Sequence, residues 1–320
     1  MFVLWLLDNI IGIFWRRHKT TNVRVTNISS NYIVAFWSCS GPIPIAPRFF
    51  IRKKDSGCLE RAHVFTCFGN RGINGFGVTG KPWQVGCLIR VYHNDRRPIL
   101  SRKDTISHTA RVAEDISDVV AWGAFQSDKS EKIALSFLHH DTDCAVVAGG
   151  SGGAIFIDAL QVFCAAKNRG ARCCRLVCLF STNDRGLFTW MGEQVDTIIK
   201  ASTLADGNEE SKEDGHIEAR NKDILLTVKL AFTDLSATAA DRSFLLDETG
   251  VPGYSMQLGR LSFDEIVDYS KVFFVGSGSL LSALQKKAPA KKLHVVSGVS
   301  YDGAGPKVKD LTGSPDKQSS

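Results

Sequence analysis

The chain has 320 residues, 44% of them hydrophobic and 22% charged, so it can bury a core and is sized for roughly two domains of ~100–200 residues each. The net charge of +6 comes from scattered basic residues, with no basic helix and no aromatic-basic interleaving, and this argues against a nucleic-acid partner. Nine cysteines, Cys173-Cys174 among them, follow neither a zinc spacing nor a disulfide framework and read as buried thiols in a reducing, cytosolic compartment.

Met1 to Trp15 is strongly apolar and is followed by Arg16-Arg17-His18-Lys19. A signal peptide carries its positive charge before the apolar part, and a membrane span needs ~20 apolar residues without the interruption of Asp8-Asn9. Residues 1–20 therefore predict a membrane-proximal helix with aromatic anchors and a basic end, or the tail of a spanning helix, with a first core helix as the alternative. From Asn22 to Leu138 the patterns are short and β-like: Asn31–Trp37, Arg48–Arg52, Val64–Phe68 and Cys87–Tyr92, with Gly- and Pro-rich turns between them. Such spacing predicts an antiparallel barrel over 21–138, interrupted by one helix-like stretch, Ser107–Ile116.

From Asp143 the pattern changes. Strands at Ala145–Ala148, Arg175–Phe180, Ile224–Phe232 and Val272–Val275 alternate with helices at Ala154–Lys167, Leu187–Lys200, Phe263–Asp268 and Leu280–Lys286. This alternation predicts a parallel α/β domain over 139–303. Within it, residues 205–222 are acidic and lack apolar periodicity, so they read as a disordered insertion, and 304–320 read as a flexible tail.

The run Val146-Val147-Ala148-Gly149-Gly150-Ser151-Gly152-Gly153 predicts a buried strand, a tight glycine turn and a helix start, where free backbone N–H groups can receive a phosphate. Two other readings are weaker. Ala62-His63 with Gly150-Ser151-Gly152-Gly153 echoes serine-protease segments, but no oriented base accompanies Ser151, and α/β alternation contradicts a double barrel. His139-His140 with Asp141 and Asp143 reads as a solvated linker rather than a metal cluster, and no metal site is expected.

Four segments recur in a characteristic order: Ala62-His63-Val64-Phe65-Thr66, Val120–Phe125, Gly149-Gly150-Ser151-Gly152, and Gly259-Arg260 with Asp264-Glu265-Ile266 before Val272–Gly276. Together they resemble the FAD-binding and NAD(P)-binding domains of ferric reductases and NADPH oxidases, within the ferredoxin–NADP reductase superfamily, over roughly Asn22 to Tyr301. The resemblance implies a flavin-dependent NAD(P)H oxidoreductase with FAD and NAD(P)H as cofactors. His63, Phe65 and Thr66 would lie along the flavin, with Thr66 near its N5. Thr109 and Arg111 would hold the FAD pyrophosphate, and Tyr301 would cover the flavin face. Gly149, Gly150, Ser151 and Gly152, with Ser181, Asn183, Arg185, Val275 and Gly276, would take the nicotinamide nucleotide.

The chain also departs from the family. Val64 and Ala124 replace prolines, Asn183 stands where an Arg often selects the 2′-phosphate, and Val275 replaces the cysteine before the glycine. These departures leave NADH against NADPH open and keep a second reading, a degenerate non-catalytic flavodomain with a regulatory or structural role. Family members pass electrons through haems on membrane helices. The resemblance therefore implies either the dehydrogenase part of a membrane reductase facing the cytosol, or a diaphorase docking to a haem-bearing partner. The acceptor would be ferric iron, haem or oxygen.

Overall fold

The computed structural model describes residues 17–18, 23–39, 43–53, 63–70, 83–90, 115–116, 119–125, 133, 143–167, 175–207, 226–234, 253–288 and 292–296. The first unit is a sheet of eight antiparallel strands: β1 (Arg17–His18), β2 (Val23–Asn27), β3 (Tyr32–Cys39), β4 (Arg48–Lys53), β5 (His63–Asn70), β6 (Trp83–Arg90), β7 (Asp115–Ile116) and β8 (Val119–Phe125). Their spatial order is β1-β8-β4-β5-β6-β3-β2-β7. Val23 of β2 and Ala121 of β8 stand far apart in that order, yet both join one buried cluster with Ile33, Ala35, Val85 and Cys87. The rings of Trp37 on β3 and Phe49 on β4 meet edge to face at 5.3 Å. The sheet therefore rolls around a common interior as a barrel.

Strand alternation decides which side chains enter that interior. On β3, Ile33, Ala35, Trp37 and Cys39 point inward, whereas Tyr32 and Val34 join the cluster shared with the second unit. Gly123 marks the closure of the barrel. A Cβ there would stand 2.6 Å from the Arg48 carbonyl oxygen, and β4 and β8 shift register at this point. The Gly123-Ala124-Phe125 segment thus closes the barrel without its proline.

The second unit alternates strand and helix. In chain order it contains β9 (Cys144–Gly149), a 3₁₀ turn (Gly150–Gly152), α1 (Gly153–Lys167), β10 (Leu176–Thr182), α2 (Arg185–Gly207), β11 (Leu226–Phe232) and β12 (Tyr254–Leu258). A second 3₁₀ turn (Asp264–Ile266), β13 (Lys271–Val275), α3 (Gly278–Gln285) and β14 (Leu293–Val295) complete it. The sheet is parallel throughout, in the order β12-β11-β10-β9-β13-β14. Its central strands are apolar on both faces. Cys144, Val146 and Ala148 of β9 face the cluster that includes α1, while Ala145 and Val147 face the cluster under α3. The winding direction reverses between β9 and β13, which is where open α/β sheets leave a crevice for ligands.

Several sequence expectations are corrected. Arg17–His18 pair with Trp122 and Ala121 as an edge strand rather than continuing a helix; the rest of residues 1–20 lies outside those described. Asp115–Ile116 pair with β2, so the helix predicted over Ser107–Ile116 does not reach its end, and its earlier part lies outside the described residues. β6 begins at Trp83 because Val85, Cys87 and Ile89 alternate inward through Gly86, a glycine that reads as a turn in sequence. Phe263–Asp268 forms only a single 3₁₀ turn at Asp264–Ile266. α2 runs on to Gly207, so the insertion predicted from 205 begins inside a helix, and 208–222 lie outside the described residues, as do 304–320. β12 escapes the sequence pattern because it is a short edge strand with exposed Ser255. Among the described residues no helix is long and apolar enough to cross a membrane.

Candidate functional site

A cleft of about 940 Å³ lies at the β9/β13 reversal and is lined by both units. That volume sits at the upper end of the ~300–1,000 Å³ usual for ligand sites.

The α/β wall of the cleft is largely backbone. β9 ends at Gly149, Gly150 turns with φ +56°, and α1 starts at Gly153 with no acidic residue in its first turn. A Cβ on Gly152 would stand 2.7 Å from the Val275 carbonyl oxygen, and one on Gly149 would stand 2.9 Å from Leu280 Cδ2. Only glycine lets the turn lie this close to the end of β13. The Gly153 N–H donates to the Gly150 and Ser151 carbonyl oxygens, so the 3₁₀ turn runs straight into α1, and the helix N-terminus that lines the cleft as an anion cradle is that of the turn. Val275 and Gly276 form the opposite lip, and Ser277 caps α3 by accepting from the Leu280 N–H at 3.4 Å.

The end of β10 contributes Ser181, Thr182 and Asn183 to the lining. Asp184 is used elsewhere. Its carboxylate accepts the Leu187 N–H at 2.9 Å, Ser29 Oγ–H at 2.8 Å and Asn31 Nδ2–H at 3.0 Å, so it caps α2 and fastens it to the β2–β3 turn. Gly186 makes this docking possible, since a Cβ there would stand 2.4 Å from the Ile28 carbonyl oxygen. Arg185 is exposed and is not among the lining residues. The cation on this side is Arg260, which follows Gly259 at φ +106° after β12. The sequence reading missed it as a ligand, although Gly259-Arg260 was part of the pattern that carried the resemblance.

The barrel wall is built from side chains. Phe65 and Thr66 of β5 line the cleft, and Arg48 stands directly opposite Thr66 across the β4–β5 ladder. Arg48 Nη2 also donates to the Val296 carbonyl oxygen at 3.4 Å, tying the barrel to the end of β14. Arg90 and Tyr32 are cross-strand partners of the β6–β3 ladder and both line the cleft. A Cβ on Gly150 would stand 3.0 Å from the Tyr32 hydroxyl, so this barrel residue reaches the glycine turn. The backbone of His63 lies on β5 opposite Ile51, and its side chain is outside those described. Thr109, Arg111 and Tyr301 lie outside the described residues.

Among the described residues three arginines and no carboxylate line the cleft, which therefore favours a polyanion. The nearby Asp264 is engaged by Lys287 at 2.7 Å and by Ser262 at 2.8 Å, and the Lys287 bond holds its carboxyl below the usual range. Among the described residues no cysteine lines the cleft. The described thiols lie in the cores: burial pushes Cys39 up to about 11, and burial opposite Cys87 likewise raises Cys67 well above the ordinary thiol value.

A barrel followed by a doubly wound parallel sheet, with one cleft between them, is the two-domain architecture that the resemblance to the ferredoxin–NADP reductase superfamily implies, and the chain has it. Among solved structures, the chain is similar to a flavohemoglobin from Malassezia yamatoensis with bound FAD and haem, at TM-score 0.46 and 10% identity over 92% of this chain and 67% of that one. It is similar to the cytochrome b5 reductase domain of Ulva prolifera nitrate reductase, at TM-score 0.46 and 10% identity over 86% and 96%. It is also similar to a cytochrome P450 reductase of Amycolatopsis, at TM-score 0.45 and 11% identity over 89% and 70%. At these scores the assignment of architecture rests on the strand order and the cleft. No protein-family model matches the chain, and no curated protein matches it.

Proposed function

We propose that the protein is a flavin-dependent NAD(P)H oxidoreductase that passes electrons onward to a small-molecule or haem acceptor. One observation carries the reading: a single cleft joins a glycine phosphate turn to a barrel wall bearing Phe65, Thr66, Arg48 and Arg90. The residues fit both cofactors. Glycines 149 and 152 let the turn pack against Leu280 and the end of β13, so that its backbone lines the cleft where a dinucleotide pyrophosphate would sit, and Arg48 and Arg90 answer the phosphates of FAD from the barrel side. Bound there, FAD would supply the chemistry of hydride acceptance and single-electron release, which belongs to the cofactor rather than to the protein.

The protein's part is orientation. Phe65 offers an aromatic surface to the flavin ring, and the Thr66 hydroxyl supplies a hydrogen bond beside it. Val275 and Gly276 form a small apolar lip that admits the nicotinamide and excludes water, in the place where the resemblance expects a thiol. Arg260 and Asn183 stand where the adenosine end would lie, so Arg260 is the cation available for a 2′-phosphate. A ferric chelate, haem or oxygen acceptor is part of the same proposal. So is a place at the cytosolic face of a membrane, supported by the apolar run 1–15 with its basic end and by six buried cysteines outside disulfides among the described residues.

The test is the visible spectrum of protein loaded with FAD, recorded without oxygen before and after NADH or NADPH is added. Bleaching of the flavin band supports the reading. A protein that cannot be loaded with FAD overturns it, and one that holds FAD but never bleaches is the non-catalytic flavodomain instead.

A further inference from the structure

Asp158 is a fully buried carboxylate on α1, within an otherwise apolar surface that includes Ile155, Ala159 and Leu160. An isolated carboxylate is expensive to bury, so it must be heavily hydrogen-bonded. Two of its partners are backbone N–H groups of the barrel. Oδ2 accepts from Ala46 at 2.6 Å, and Oδ1 accepts from Gly69 at 3.1 Å.

The positions of these donors give the contact its meaning. Ala46 lies two residues before β4 begins with Arg48, and Gly69 lies on β5 three residues beyond Thr66. One carboxylate therefore grips the two adjacent strands that carry Arg48, Phe65 and Thr66. α1 itself starts at the glycine turn, and Ile155, one helical turn before Asp158, lines the cleft. The nucleotide turn, the helix and the flavin-facing strands thus form one mechanical chain.

Ala46 adds an independent observation. Its φ of +46° is a left-handed conformation that a residue with a Cβ rarely adopts. That conformation is what aims the Ala46 N–H at Asp158. Apolar packing alone would hold helix and barrel together while letting them slide, whereas two directional bonds to one carboxylate fix their register.

We propose that Asp158 is a positioning residue that sets the register between the two walls of the cleft and, through it, the approach of nicotinamide to flavin. The second half of this statement rests on the flavin reading above; the first does not. Asp158→Asn keeps the shape but gives one of the two N–H groups an amide donor instead of an acceptor.

In the full chain without cofactors, D158N is expected to speed amide exchange in the segments around Ala46 and Gly69 while leaving β9 and β10 protected. Unchanged exchange there overturns the proposal whether or not the protein binds flavin. In FAD-loaded protein, the rate of flavin bleaching at saturating NAD(P)H is expected to fall roughly ten- to hundredfold with little change in KM, as for a small misplacement of reacting groups. A lower melting temperature with a wild-type bleaching rate overturns the positioning role. A wild-type protein that never bleaches fails the flavin reading alone, and amide exchange still decides the register. Should D158N not fold, D158E moves the charge out by one methylene, and the same exchange and rate measurements decide.

Discussion

On β9, Cys144, Val146 and Ala148 meet one apolar layer and Ala145 and Val147 another, so every side chain of the strand is spent on packing. On β5, Cys67 enters the barrel core and Phe68 packs against the cluster shared with α1, while Phe65 and Thr66 line the cleft. Because β9 has no side chain to spare, its half of the cleft is made of glycine backbone and helix N–H groups. The barrel half, one layer thick at the cleft, can offer arginines, an aromatic ring and a hydroxyl. Two routes to burial therefore yield two kinds of binding wall, and substitutions should separate them.

Gly152→Val is expected to have the largest effect. Its Cβ would stand 2.7 Å from the Val275 carbonyl oxygen, and closing that gap should raise KM for NAD(P)H by roughly a hundredfold, the ~3 kcal/mol scale of an overpacked contact. Equilibrium titration of FAD should be unchanged, and loss of FAD as well would show that the walls are not separable. Arg48→Ala works from the other side. Removing a cation from the barrel wall should weaken FAD about tenfold while leaving the KM for nucleotide near its wild-type value.

The smallest effect lies outside the cleft, where Arg175 bonds the Asp143 carboxylate at 2.5 Å at the entry to β9. That bond holds the Asp143 carboxyl below its ordinary value of 3.8. A depressed carboxylate stabilises the fold above its unfolded value, and this contribution is lost as pH falls through the folded one. The difference in melting temperature between wild type and R175A should therefore be small at neutral pH, as for an exposed pair, and should close in acid. A difference that grows as pH falls would contradict this sign.

Legibility in the sequence follows the same division. The glycine turn could be read because strand, turn and helix are contiguous, and 149–152 fall where expected. The α/β alternation was likewise local. Arg48, Arg90 and Tyr32 were invisible as site residues because their convergence depends on barrel register: Tyr32 meets Arg90 only once β3 and β6 pair. Arg185 was expected in the site and Arg260 was missed for a related reason. Position along the chain favours Arg185, but α2 starts there and carries it to the surface, while β12, which the pattern missed, delivers Arg260. Asp158 sits in the middle of an apolar helix, and nothing in sequence says which way the helix faces.

The lips of the glycine turn, Gly152 and Val275, belong to elements separated in the chain by α1, α2 and three further strands. β9 gains its first parallel neighbour, β10, through a short crossover, but it receives β13 only after a long loop has closed, the slow and non-local kind of pairing. The cleft at the glycine turn is thus incomplete in any partly assembled sheet. A molecule that binds there selects the completed chain, so it stabilises the whole fold by mass action rather than one domain of it.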